Sequence, residues 1–176
     1  MSEAPAIGFA LEVDVLVEAS GWSALPEAAG LVTRAVMAAC EGASADYELD
    51  LDGAEIAVKL TDDAAIRALN RDWRGKDSAT NVLSFPTPEV AREGGDPHFG
   101  DIAIAFETLE REAASEGKPL ADHLVHLAVH GTLHLVGYDH EVTEEAEEME
   151  AMERHVLASL GIPDPYADTE PVQQHP

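Results

Sequence analysis

The chain has 176 residues, a formal net charge of −25 and 45% hydrophobic residues. Such a length suits a single core, no apolar run is long enough to span a bilayer, and the charge excludes whole-surface attraction to nucleic acid. The only cysteine, Cys40, excludes an internal disulfide, and its apolar neighbours Ala35, Val36 and Ala39 mark it as a small core residue rather than a nucleophile.

In chain order, Leu11–Val17 alternates so that Leu11, Val13, Val15 and Val17 share one face, the pattern of a half-buried strand. Glu12 and Asp14 lie inside that segment and no basic residue precedes it, which argues against a secretion signal and makes the cytoplasm the expected location. Residues 26–39, rich in alanine, are spaced like an amphipathic helix with Pro26 in its first turn. Residues 47–51 read as a strand, joined through the hairpin-turn dipeptide Asp52-Gly53 to a second alternating strand over 55–60. Thr61 reads as the N-cap of a helix over 62–72, with Asp62 and Asp63 well placed for its dipole.

Residues 81–85 read as a strand that stops at Pro86, and residues 86–99, with Pro88, Pro97 and Gly94-Gly95, as a surface loop. The last strand covers 100–106. A helix starts near Glu107, residues 117–119 interrupt it, a histidine-bearing helix runs to about Leu135, and a final helix covers 143–160. The expected architecture is α+β, a small central mixed sheet with helices packed on it, in one domain over 1–162 followed by a disordered tail over 163–176.

Charge is unevenly spread. Five of the ten basic residues, Lys59, Arg67, Arg71, Arg74 and Lys76, fall in one stretch, while glutamates crowd the last helix from Glu144 to Glu153. The glutamates read as a solvated face; the basic residues read equally as a local basic face or as simple solvation.

His130, His134 and His140 carry the chemistry. Residues four apart share a helix face, so His130 and His134 can aim at one point, and Gly137 allows the backbone to turn back so that His140 reaches the same point. Three neutral imidazoles leave a tetrahedral Zn²⁺ one open position, the catalytic rather than the structural arrangement, where bound water is acidified. The metal site therefore sits on a helix and its following turn. The spacing is that of the zinc-protease string H-E-x-x-H-x-x-G-x-x-H, except that Gly131 stands where those proteases carry the glutamate base.

Arg74 and Lys76 flank Gly75, where they can grip a phosphate; Arg74 paired with Asp72 or Asp77 to hold the turn is the alternative. His123 and His126 lie one and two turns upstream on the histidine face, as groups behind the ligands or as ordinary histidines. Trp73 reads as a half-buried helix-end residue, with base stacking as the alternative, and Asn81 and Ser84 as strand residues or phosphate contacts.

Taken together, LNRDWRGKDSATNVLSFP, GDIAI and HGTLHLVGYDH resemble the YbeY family of bacterial endoribonucleases, the rRNA maturation factors, over roughly residues 49–160. The resemblance implies an α+β fold, one zinc ion per chain on His130, His134 and His140, and cleavage of single-stranded RNA. It further implies maturation of the 16S rRNA 3′ end and ribosome quality control, with the ribosome or ribosomal proteins as partners and neither DNA nor a membrane. It places the arginine the family needs for activity at Arg74. Ala79 departs from the proline of the family's K-D-x-P-T string, and residues 86–99 look long and acidic for it. On this reading Arg74 clamps the phosphate opposite the metal, with water or the ribose 2′-OH as nucleophile; zinc-bound hydroxide serves as base, or Asp139, just before His140, or a substrate group assists, bonds to nearby backbone amides being the other reading of Asp139. The rivals are a metallopeptidase with its base elsewhere and a non-enzymatic, zinc-stabilised ribosome-binding factor.

Overall fold

The computed structural model describes residues 10–45, 51–139 and 142–167. Four strands form one mixed sheet: β1 (Leu11–Val17), β2 (Ala54–Thr61), β3 (Val82–Pro86) and β4 (His98–Ala105), in the spatial order β1-β2-β4-β3. β1, β2 and β4 run parallel, and β3 closes one edge antiparallel to β4, with Val82 opposite Ile104 and Ser84 opposite Ile102. Parallel neighbours require a crossover, which α1 (Ala28–Ala43) supplies between β1 and β2. The remaining helices are α2 (Asp63–Arg74), α3 (Glu89–Glu93), α4 (Phe106–Glu116), α5 (Leu120–Val136) and α6 (Thr143–Ser159).

Alternation along β2 sends Ala54, Ile56, Val58 and Leu60 into the core, where α1 and α5 pack together on the sheet and α6 closes over both. Side chains such as Leu124, Leu133 and Leu157 are fully enclosed there, each worth roughly 1.5–3 kcal/mol on burial. On the opposite face a smaller cluster of Ile66, Leu83, Ala103 and Ala105 seats α2 over β4. No helix among the described residues is long and apolar enough to cross a membrane.

Local chemistry moves several boundaries. The N-cap of α2 is Asp62, not Thr61: its extended backbone lets its carboxylate accept from the Ala65 N–H at 2.9 Å, while Thr61 remains the last residue of β2. Residues 86–99 are more than a loop, because they hold α3 and the first two residues of β4, and Phe106 opens α4 instead of ending a strand. A 3-10 turn over Ser20–Ala24 precedes α1. The strand expected over 47–51 lies outside the described residues except for Leu51. Of the tail expected to be disordered, residues 163–167 are described and residues 168–176 are not.

Candidate functional site

α5 is built to hold polar side chains against a sheet. One side of it is apolar and buried, while His126, His130 and His134 follow one another at helical spacing and stay partly accessible. The helix comes unusually close to the edge strand at Gly131, where a Cβ would lie 3.2 Å from Val82, Ser84 and Ile102 side-chain atoms. Ser84 Oγ donates to the Gly131 carbonyl at 2.9 Å. The glutamate that proteases carry at this position would need these side chains to give way, so tight packing disfavours it here. Gly137 caps α5 with φ 123°, a conformation that L side chains rarely adopt, and ends the helix where the sequence led us to expect.

His130 and His134 stand edge-to-face with ring centroids 4.8 Å apart. Two imidazoles ligating one tetrahedral zinc at ordinary Zn–N distances have centroids about 5 Å apart, so the pair fits a shared ion, and imidazole suits zinc. His140 lies outside the described residues.

Beyond these rings, a groove of about 810 Å³ runs along the outer edge of β3 and is lined by Arg74, Lys76, His130, His134 and Asp139. Arg74 ends α2 just before Gly75, whose left-handed φ of 73° closes the helix. Its guanidinium Nη2 donates to the outward-facing Ser84 carbonyl, and the group lies 5.1 Å from the Phe85 ring centroid. The ion-pair alternative is thereby resolved, since Asp77 binds Arg67 at 2.8 Å and Asp72 binds Arg71 at 3.0 Å. The hydrogen bond and charge of Arg67 hold the Asp77 carboxyl below the usual range. Among the described residues, Arg74 and Lys76 are the members of the basic stretch with no carboxylate within ion-pair distance.

Other candidates take different places. Trp73 is 72% exposed, not half-buried: it lies on nearly the same α2 face as Ile66, beside Leu69 and Phe85 in a groove over the sheet. Asn81 is engaged internally, donating to both Glu112 oxygens at 3.1 and 3.2 Å and accepting from the Val82 N–H. His123, buried, faces Glu112 through Nε2 at 2.8 Å, and His126 faces Glu153 through Nε2 at 3.2 Å.

Glu153 corrects the expectation of a uniformly solvated glutamate face, because its side chain is completely buried and meets His126, His130 Nδ1 and the Tyr166 hydroxyl. Burial alone would raise its pKa; hydrogen bonds from His126 and His130, the charge of His130 and the Tyr166 hydroxyl outweigh that and hold it down at about 2. Burial and the neighbouring Glu153 charge push the Tyr166 hydroxyl well above the ordinary phenol range. A sequence signal for Glu153 exists: it falls on the same α6 face as Met149, Val156 and Leu157, all buried.

Comparison with known proteins agrees with this geometry. The family described as Endoribonuclease YbeY matches residues 24–161. The chain is 58% identical over 156 residues to an Endoribonuclease YbeY of Rhodopseudomonas palustris, covering 88% of this chain and 80% of that one. It is equally 58% identical over 158 residues to the Azorhizobium caulinodans Endoribonuclease YbeY, covering 89% and 97%. The solution structure of TM1509 from Thermotoga maritima superposes with a TM-score of 0.50 at 25% identity, covering 90% of this chain and 97% of that one. With the match spanning most of its length, the chain belongs to the YbeY endoribonuclease family.

Proposed function

We propose that this protein is a zinc-dependent endoribonuclease that cuts single-stranded RNA in the cytoplasm, matures the 3′ end of 16S rRNA and serves ribosome quality control, with the ribosome or ribosomal proteins as partners. The observation that carries this reading is the single groove onto which His130, His134 and Arg74 all open.

Cleavage of a phosphodiester gathers negative charge on the phosphoryl oxygens, and the catalyst must meet it with fixed positive charge. Arg74 is permanently charged and planar, and its bond to the Ser84 carbonyl orients the fork while leaving further N–H groups for a phosphate. Lys76, on the same groove, adds a mobile ammonium that can follow the backbone of a flexible strand. His130 and His134, with His140 as third ligand, would hold the zinc ion. Bound there, zinc supplies Lewis-acid charge to a phosphoryl oxygen and lowers the pKa of a coordinated water. Asp139 lines the same groove, and on this reading it orients the attacking water or 2′-OH and accepts its proton. Because the chain as a whole carries −25, this local positive charge works against the protein's own field. The filled space around Gly131 counts against the metallopeptidase reading.

The test is cleavage of a labelled single-stranded RNA by metal-stripped and zinc-restored protein, with the same sequence as a duplex for comparison. Stripping abolishes cleavage, zinc restores it, and the duplex is spared. Wild-type cleavage by the stripped protein would overturn the reading.

A further inference from the structure

The groove accounts for one side of His130; the other side meets a polar cluster built on the buried Glu153. Glu153 Oε2 faces His130 Nδ1, while Oε1 faces both the Tyr166 hydroxyl and His126 Nε2 at 3.2 Å. A carboxylate only accepts hydrogen bonds, so each atom facing it carries a proton. A neutral His130 protonated at Nδ1 has its lone pair on Nε2, the nitrogen left to bind a metal. His126 is held the opposite way, with Nε2–H spent on Glu153 and Nδ1 buried without a hydrogen-bond partner. Its ring stands edge-on to His130 at 6.4 Å. One buried carboxylate thus sorts histidines of the same helix face, keeping His126 out of the ligand set and turning His130 toward the groove.

We infer that Glu153 is the positioning residue of the metal centre: steadied by His126 and Tyr166, it fixes His130 in the Nδ1–H tautomer so that Nε2 is offered to the ion before the ion arrives. This rests on the metal reading of His130. It also gives the segment after α6 a role, because Tyr166 is held from both sides. Arg154 lies 5.4 Å from its ring centroid and pairs with Asp164 at 3.3 Å, and Lys118 donates to the Pro165 carbonyl at 3.3 Å.

The experiment uses the full chain as wild type, Glu153→Gln, Tyr166→Phe and His134→Ala. Zinc affinity is measured by competition with a chromophoric chelator. The His130 tautomer is read by long-range ¹H–¹⁵N NMR of the metal-free protein at pH 8, with amide dispersion as the check on folding. Folded Glu153→Gln loses zinc affinity about 10- to 100-fold and Tyr166→Phe loses less, up to about tenfold. His130 is the Nδ1–H form in the wild type and a mixture in Glu153→Gln. Unchanged zinc affinity in folded Glu153→Gln, or an Nε2–H tautomer in the wild type, overturns the inference. A wild type that binds no more zinc than His134→Ala sinks the metal reading, and the tautomer comparison then still decides whether Glu153 sets His130. Should Glu153→Gln fail to fold, Tyr166→Phe carries the test, and unchanged affinity and tautomer there overturn the inference.

Discussion

On the flank of α5 that faces α4 and α6, His123 and His126 each meet a carboxylate, Glu112 and Glu153. On the flank that faces β3, His134 opens onto a groove whose cations, Arg74 and Lys76, have no carboxylate within ion-pair distance among the described residues. His130 belongs to both, through Nδ1 on the closed side and through its ring on the open side. The same residue types therefore serve two ends. Where each donor meets a carboxylate, charge is spent on holding position; where cations are left without carboxylates, their field is available to a ligand.

Four measurements break or sharpen this contrast. The largest effect belongs to the open flank: His134→Ala loses zinc affinity by about a hundredfold or more, exceeding the effect of outer groups, and RNA cleavage falls to background with it. Titration calorimetry and a gel assay check both, and an active His134→Ala protein would remove the histidine pair from the chemistry. Next is Arg74→Ala, which keeps zinc but cuts RNA 10- to 1,000-fold more slowly, about 1.4–4 kcal/mol of barrier. Urea unfolding moves by no more than about 0.5 kcal/mol, because the side chain is exposed.

His123→Ala inverts that pattern on the closed flank. It removes one of the two donors on Glu112, Asn81 remaining, and leaves a hole where the buried ring was, so stability drops by about 1–3 kcal/mol in urea while zinc affinity stays within about twofold. A large loss of zinc binding with unchanged stability would erase the distinction between the flanks. The smallest effect at neutral pH lies outside both flanks, in α1. Burial pushes the Cys40 thiol from 9.0 up to about 12. A thiol raised in the folded state favours folding fully below its unfolded pKa, and that contribution disappears as pH climbs from about 9 to about 12. Thiol reagents at pH 7.5 should label Cys40 only at the rate of unfolding; rapid labelling of the native protein would contradict its enclosure.

How much was legible in advance follows from the range of each signal. β1, β2 and α5 announce themselves by periodicity, and His130, His134 and Gly137 by fixed local spacing, because those constraints act within a turn or two of chain. Glu153 was hidden in a run of glutamates: its burial depends on donors from α5 and from Tyr166, and α6 alone does not reveal them. Its place between Met149 and Leu157 on the buried stripe was the readable clue. Trp73 shares its α2 face with the buried Ile66, seven residues earlier, yet stays exposed over a groove beside Leu69 and Phe85, an outcome helical spacing does not signal. The choice between Arg74 as phosphate grip and Arg74 as turn clamp depended on which carboxylates Arg67 and Arg71 take, a competition among side chains that spacing leaves open.

Ser84 has a consequence beyond its own two contacts. Its hydroxyl tethers the histidine helix through Gly131, and its carbonyl tethers the guanidinium of Arg74, so one residue of an edge strand gauges the span between the two halves of the groove. A slip of β3 by a single residue would swing Phe85 toward α5 and turn that carbonyl inward, undoing both tethers in one movement. The groove is thus assembled all-or-none: a chain with its edge strand misaligned would be inert, never half-competent.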